Sequence, residues 1–479
     1  EPLSIMTRMV SRIWPTVPAS WLRISVTQKE RAAAIQVLPR CSVICIRLAI
    51  TGWEPSRCTV LKKLSCLRCA VLHVLIASGI TEQWGSGPFT DPKHSLRLYM
   101  SLAVAYMHGS SHMNTEEALW LDEYANDRYS QSGKEHLYAQ HRVLDFIETH
   151  TRRGELKSNV AVIQGRNDAW KSFGRGSLWS QKGDKWQFNK ATESFDLLKV
   201  FYPNNIVDGC GPNGWFTSTP YGTIDILPIE APQDVMNKYK AMVFLGWNSF
   251  DESDFLRIRN YVFDGGTLVL TAAHLNAELQ PDQPAKFPTN DAVIREMLGD
   301  NYKSLNGKTV IPYGSGKIIY FPQAAYPAES SLRSQYEETM RELATETVNK
   351  ELPSGWIESA PSVGFTVWDN KDHRTIYLLN TDWQSAEQQH TATFVYNGKK
   401  FPVDVRRYHI ETVHCANGLA INPGSNTTDI LSINKEGNSW KVTVQNTEKD
   451  TIRCFNAETG TTTTVVLDSP SVHVITIGY

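Results

Sequence analysis

The pattern of apolar and polar positions predicts a repeated strand–helix order at residues 79–155. Apolar residues recur at helical spacing between His94 and Met107, and Gly109 follows as a helix stop. A short strand, Ile80–Trp84, precedes this helix, and a second strand (110–114) and a second helix (134–150) come after it. This order predicts the last two units of a parallel (β/α)8 barrel, which places its chemistry at the carboxyl ends of its strands.

The pattern changes at residues 156–352, where apolar runs alternate with amphipathic stretches. Residues 160–163, 224–227, 241–246 and 267–270 are apolar enough for strands buried in a parallel sheet. Helical periodicity follows several of them, ending with a long stretch at 331–350. This alternation predicts an α/β, doubly wound, flavodoxin-like domain.

Residues 353–479 show the two-residue alternation of strands instead. Seven short alternating segments are separated by turn signals such as Asn397-Gly398, Asn417-Gly418 and Glu436-Gly437. We therefore predict an antiparallel β-sandwich at the carboxyl end of the chain.

Composition sets the first 78 residues apart. They contain no Asp, Asn, Phe or Tyr, one Gly (Gly52), and five of the eight cysteines of the chain. Eleven basic residues stand against three acidic ones there. The missing residue types reappear one nucleotide frame away: the codons of Met9-Val10, for example, contain GGT, a Gly codon. Our hypothesis is that residues 1–78 are an out-of-frame, non-native and poorly ordered segment, and the alternative is a real basic, Cys-rich region.

Neither a metal site nor a targeting signal explains that segment well. Cys66-x-x-Cys69 has a zinc-compatible spacing, but no His pair or second such motif follows it, so no metal and no other cofactor is expected. A transit peptide would be shorter and amphipathic. The first residue is Glu1, so the amino terminus does not indicate the compartment, and a bacterial cytoplasmic or extracytoplasmic location both stay open.

The charge and hydropathy of the remaining chain exclude two classes of partner. It is acidic overall and has no basic stripe, so nucleic acid is not expected to bind. No apolar run reaches the length of a membrane span. Abundant aromatic residues are compatible with an oligo- or polysaccharide partner, although aromatics also fill cores.

Several segments resemble the family 42 β-galactosidases and related retaining glycoside hydrolases. They are Thr81-Glu82-Gln83 at a strand end, residues 239–248, residues 261–268 and the strand 377–382. The resemblance implies a catalytic barrel, a glutamine-amidotransferase-like domain through which a homo-oligomer forms, and a small β domain. Such amidotransferase folds are active only with a Cys after the fourth strand, where this chain has Thr271-Ala272-Ala273-His274, so a structural role is expected.

The resemblance also implies a catalytic apparatus of two carboxyl groups about 5 Å apart. Glu82 falls where strand seven of the barrel would end and is the nucleophile candidate, while Glu116 and Glu117 are further catalytic candidates at strand eight. The alternative is that Thr115-Glu116-Glu117 only opens a helix. Candidate substrate-binding residues are Trp84, His108, His112 and Trp120, each of which could instead belong to the core.

The expected acid/base residue would lie upstream of Glu82, in lost or mistranslated sequence. The chain as written is therefore expected to be an inactive glycosidase fragment. Two alternatives stay open: a non-catalytic carbohydrate-binding or oligomerisation protein of the same architecture, and a polysaccharide lyase.

Overall fold

The computed structural model describes the backbone of most residues from Ile80 onward. The described ranges are 80–84, 94–109, 112–116, 121–123, 128–129, 131–166, 190–202, 218–276, 291–351, 355–358, 360–370, 372–382 and 388–478. Residues 1–78, and with them the frame and zinc hypotheses, lie outside the described residues. So do Glu117 and Trp120.

A parallel strand pair opens the described part of the chain. Strand β1 (Ile80–Trp84) pairs in parallel with β2 (His112–Glu116), and helix α1 (His94–Met107) connects them. Parallel neighbours require such a crossover, so this is a βαβ unit, as the sequence pattern predicted. The sequence did not predict the small hairpin that follows, β3 (Leu121–Glu123) with β4 (Arg128–Tyr129), before helix α2 (Gln131–Thr149).

The doubly wound part of the chain forms a mostly parallel sheet in the order β6-β5-β7-β8-β10-β9. Its strands are β5 (Glu155–Gln164), β6 (Thr223–Pro228), β7 (Ala241–Phe244), β8 (Thr267–Thr271), β9 (Thr309–Tyr313) and β10 (Gly316–Phe321). Only β9 pairs antiparallel within it. This order is the flavodoxin-like one, and it changes direction at β5.

Helices cover both faces of this sheet, which therefore has a core on each side. One face packs against a 3₁₀ segment (Ser194–Val200) and the long helix α7 (Arg333–Glu351). The helices before α7 are, in chain order, α3 (Lys190–Glu193), α4 (Gln233–Met236), α5 (Glu252–Phe263) and α6 (Ala292–Leu298). The other face packs against α4, α5 and α6. The helical periodicity that follows the first apolar run corresponds mainly to this 3₁₀ segment, and α6 was not predicted.

Antiparallel sheets make up the rest of the chain, in agreement with the sequence pattern. Their strands are β11 (Trp356–Glu358), β12 (Val363–Asp369), β13 (Arg374–Asn380), β14 (Gln389–Tyr396), β15 (Lys399–Arg406), β16 (Ile410–Ala416), β17 (Leu419–Asn422), β18 (Thr428–Glu436), β19 (Ser439–Asn446), β20 (Asp450–Asn456), β21 (Thr462–Leu467) and β22 (Ser471–Gly478). The order β12-β13-β16-β17-β20-β21 forms the largest of them. One face of it packs on β11, β14 and β15, and the other on the sheet β18-β19-β22.

Strand β5 joins the two kinds of sheet, which the sequence pattern did not predict. Its first three residues, Glu155 to Lys157, pair with β12, whereas Ser158 to Gln164 pair with β6. Both sheets are therefore continuous through one ten-residue strand. A displacement of β5 would disturb both.

Helices α1 and α2 pack on the β-sheet region beside the sheet β18-β19-β22. Phe146 and Met107 share a core cluster with Tyr377, Leu379 and Ile410 of the large antiparallel sheet. Polar contacts add to it: the Trp368 indole donates to the Met107 carbonyl at 2.8 Å, and the Tyr106 hydroxyl donates to the His150 carbonyl at 2.8 Å. The βαβ unit is thus attached to the β region through its helices.

Candidate functional site

Strands β1 and β2 carry four of the candidate site positions, Glu82, Trp84, His112 and Glu116. The strands run in register, so that Glu82 pairs with Asn114 and Trp84 with Glu116. His112 pairs with Ile80, two positions before Asn114. Trp84 and Glu116 are the last residues of their strands, whereas Glu82 is the third residue of β1. Two acidic positions therefore lie on neighbouring strands, offset by two residues.

Asn114 is the position that sequence reasoning did not single out. It is the register partner of Glu82, one strand away, and its amide type can both donate and accept hydrogen bonds. The sequence could have indicated Asn114 through its distance from the start of the strand, but the predicted start, residue 110, lies two residues before the observed start at His112. Glu116 is the last residue of β2, so Thr115 and Glu116 both belong to this strand.

His108 lies in the interior, just after α1. It is 6% exposed, and its Nδ1 lies 2.8 Å from the Val104 carbonyl oxygen, to which Nδ1–H can donate. Burial lowers the pKa of His108 to about 4, so the ring is neutral near pH 7. These contacts are those of a core histidine, and its assignment to substrate binding stays a prediction.

A second candidate site lies at the carboxyl edge of the doubly wound sheet, where the strand order changes direction between β5 and β7. Ligands of such folds bind in the crevice at this point. Here a Cβ on Gly165 would lie 2.3 Å from the Trp247 carbonyl oxygen and 2.7 Å from the Cα of Asn248. The Asn248 side chain accepts from the Arg166 backbone N–H at 3.1 Å. The two loops are therefore in direct contact where a ligand would enter.

The chain's own charges occupy the rest of that edge. Arg166 donates from Nε and one terminal nitrogen to the two carboxylate oxygens of Asp254, at 2.8 and 2.9 Å. The same guanidinium lies 3.0 Å from Asp251 and 3.8 Å from Glu230, and Arg257 also pairs with Asp254. These acidic partners raise the pKa of Arg166, whereas burial raises the pKa of Glu230. The network is a compact ion-pair cluster with Asp254 fully buried at its centre.

The turn after β8 holds a histidine whose two ring nitrogens are both engaged. His274 Nδ1 accepts from the Thr271 backbone N–H at 2.9 Å, and Nε2 lies 3.3 Å from the Leu245 carbonyl oxygen. Burial lowers the pKa of His274 to about 3. The ring is therefore neutral and protonated on Nε2, and it ties β8 to the loop after β7.

Comparisons with known proteins give structural similarities. No protein-family model matches the chain, and no curated protein matches it. A catalytic mutant of Gan42B, a GH42 β-galactosidase from G. stearothermophilus, is 12% identical, with 73% of this chain and 57% of that chain covered and a TM-score of 0.43. A β-galactosidase from Halorubrum lacusprofundi is also 12% identical, with 73% and 56% covered and a TM-score of 0.42.

The chain is similar to GH42 β-galactosidase structures. An α-L-fucosidase from Paenibacillus thiaminolyticus also matches, at 9% identity and a TM-score of 0.37, with 84% of this chain and 60% of that chain covered. Our chain covers between 56% and 61% of the β-galactosidases named among its matches. At these identities the roles of individual residues rest on this chain's own geometry.

None of the described helices is long and apolar enough to cross a bilayer. Among the described residues, no group of three or more His, Cys, Asp or Glu side chains is arranged to hold a metal ion.

Proposed function

We propose that this chain carries part of a retaining glycoside hydrolase, in which Glu82 is the nucleophile that attacks the anomeric carbon of a sugar. The observation that carries the proposal is the parallel β1–α1–β2 unit. In this unit Glu82 lies two residues before the carboxyl end of β1, and the parallel strand β2 ends at Glu116; the carboxyl end is the end at which (β/α)8 enzymes bind and transform substrates. We also propose that these strands belong to such a barrel.

The proposed reaction has two steps. The Glu82 carboxylate forms a bond to the anomeric carbon while the glycosidic bond breaks and a second carboxylic acid protonates the leaving oxygen. Water, deprotonated by the same second group, then releases the sugar from Glu82. We assign Asn114, the register partner of Glu82, and Trp84 and Glu116, the last residues of the two strands, to sugar binding. The acid/base carboxyl is expected from sequence upstream of Glu82.

The test begins with the nucleotide sequence that encodes residues 1–78, translated in all frames. We expect one alternative frame to be open and to contain an Asn-Glu pair after a strand pattern. Two proteins are then assayed on a panel of aryl glycosides: the present chain with residues 1–78 unchanged, and the frame-corrected chain. Turnover by the corrected chain alone supports the proposal, whereas turnover by the unchanged chain refutes the frame hypothesis. No turnover by either leaves the carbohydrate-binding or assembly alternative.

In the active chain, Glu82→Gln should reduce kcat by about 10³-fold or more, because the covalent step loses its nucleophile. Azide should rescue Glu82→Gly and give a glycosyl azide of inverted anomeric configuration. The matched control is Gln83→Asn, at the next position of β1, which should stay within a few-fold of the parent because alternate positions of a strand point to opposite faces. A Glu82 variant with unchanged turnover would assign the nucleophile elsewhere.

The doubly wound sheet has a separate proposed role. Because the chain's own ion pairs fill its carboxyl edge, we propose that this part associates with copies of itself and does not bind a nucleotide-like ligand there. That assignment follows the resemblance seen in the sequence.

A further inference from the structure

A groove of about 320 Å³ lies on the side of the doubly wound sheet that α7 covers. The 3₁₀ segment, the turn at Pro220, the first half of α7 and Pro361 before β12 form its walls. Its size is at the lower end of small-molecule sites, enough for one or two sugar units. It lies among residues other than the candidates of the β1–β2 site.

One wall of the groove is a cationic row on α7. Arg333, Glu337 and Arg341 follow at four-residue intervals and therefore share a helix face. Arg333 Nε lies 3.0 Å from Glu337, whereas Arg341 reaches the same carboxylate only at 3.8 Å. The Arg341 side chain is 53% exposed. Two guanidinium groups thus share one carboxylate, and Arg341 is both the more exposed of the two and the more distant from Glu337.

The opposite wall is apolar, with one hydroxyl. Val200, Pro220, Tyr221 and Pro361 line it, and the Tyr221 ring packs edge-on against Phe201 at 6.5 Å. Tyr221 is close enough to Arg341 for that charge to oppose the rise that burial causes in the pKa of its hydroxyl. An apolar ring face with a polar tip suits a ligand that is itself partly apolar and partly hydroxylated. Asp196 and Lys199 complete the lining.

We propose that this groove binds an anionic sugar unit, with its carboxylate or sulfate on Arg341 and its ring against Tyr221. The arginine fork matches a planar carboxylate bidentately. The lining carries three cations against two carboxylates, which favours a ligand with one negative charge. This inference goes beyond the proposed glycosidase activity and does not depend on Glu82.

The test is a titration of the full chain with D-galacturonate, with neutral D-galactose and inorganic sulfate as comparison probes, by isothermal titration calorimetry. Galacturonate should bind at least about tenfold more tightly than galactose. The galacturonate carboxylate accepts a charge-assisted hydrogen bond from arginine, whereas galactose offers only a neutral hydroxyl at that place. Arg341→Gln should weaken galacturonate binding by about tenfold, and so should Tyr221→Ala. Arg259→Gln, on α5 outside the groove, is the matched control and should bind as the parent does.

Each other outcome contradicts a defined part of the proposal. Equal binding of galactose and galacturonate removes the anionic requirement. Sulfate binding as tight as galacturonate, unaffected by Tyr221→Ala, indicates a bare-anion site and refutes the sugar assignment. No detectable galacturonate binding, or binding unchanged by Arg341→Gln, refutes the site. Thermal melts establish that each variant is folded, and none of these results depends on turnover.

Discussion

At the scale of single residues, Asp254 is the carboxylate on which the ion-pair cluster of the doubly wound sheet depends. It is fully buried and receives Arg166 bidentately and Arg257 from its own helix. Asp254→Asn would leave two guanidinium groups without their shared counter-ion. We expect this change to lower the free energy of unfolding by about 2 kcal/mol, below the range for fully buried pairs because both arginines are partly solvated. Urea unfolding measures the difference.

Asp251 provides the control for this experiment. It also lies 3.0 Å from Arg166, but its side chain is 51% exposed and its main role is to cap α5. Asn caps helices about as well as Asp, so Asp251→Asn should change the free energy of unfolding by no more than about 1 kcal/mol. Equal losses for the two variants would mean that burial of Asp254 does not determine the strength of the cluster.

At the scale of elements, a strand glycine lets the doubly wound and β-sheet regions approach each other. A Cβ on Gly364 of β12 would lie 2.4 Å from the Cβ of Ser218, whose neighbour Thr219 accepts from the Phe365 backbone N–H. Gly364→Ala must push this segment away, and overpacking of this kind costs about 1–3 kcal/mol. Chemical denaturation should show that loss. Gly478→Ala in β22, with no heavy atom within 4 Å of the new Cβ, should show none.

The same scale shows what the sequence could predict about elements. Apolar runs located the buried strands β5, β7 and β8 because a strand buried on both faces excludes polar residues. They could not reveal that the polar first residues of β5, Glu155 to Lys157, continue the strand to pair with β12, since strand pairing depends on a partner two hundred residues away. The helix α6 and the hairpin β3–β4 were missed for a different reason, because each is too short to show a long periodic pattern.

Across the whole molecule, the sequence predicted the succession of parallel and antiparallel sheets better than the candidate site. It named Glu82, Trp84 and Glu116, which lie on two strands in parallel register, but it missed Asn114 because a partner across strands depends on register. It also gave no indication that α1 and α2 pack on β13 and β16. The candidate roles of Glu82 and Glu116 remain predictions.

The packing of α1 and α2 on the β region helps to bury a set of histidines. Burial lowers the pKa of His150 and His373 to about 4 and that of His414 well below its usual value. His373 Nε2 lies 3.1 Å from His414 Nδ1, and Arg153, bound to Asp429 at 2.7 Å, adds its charge to this cluster. Burial lowers the pKa of His409 as well, so with His108 and His274 six histidines among the described residues have a lower pKa in the folded protein than in the unfolded chain.

Stability should therefore fall as the pH drops below about 6.5, the ordinary histidine pKa, because the unfolded chain binds protons that the folded protein excludes until about pH 4. Each histidine contributes a slope of up to about 1.4 kcal/mol per pH unit in this window. Asp225 opposes it: burial raises its pKa to about 6, so the folded protein takes up that proton first. Urea unfolding at pH 7, 6 and 5 tests the balance. His414→Gln should flatten the decline and Asp225→Asn should steepen it, and the reverse order would show that these groups do not titrate as their burial requires.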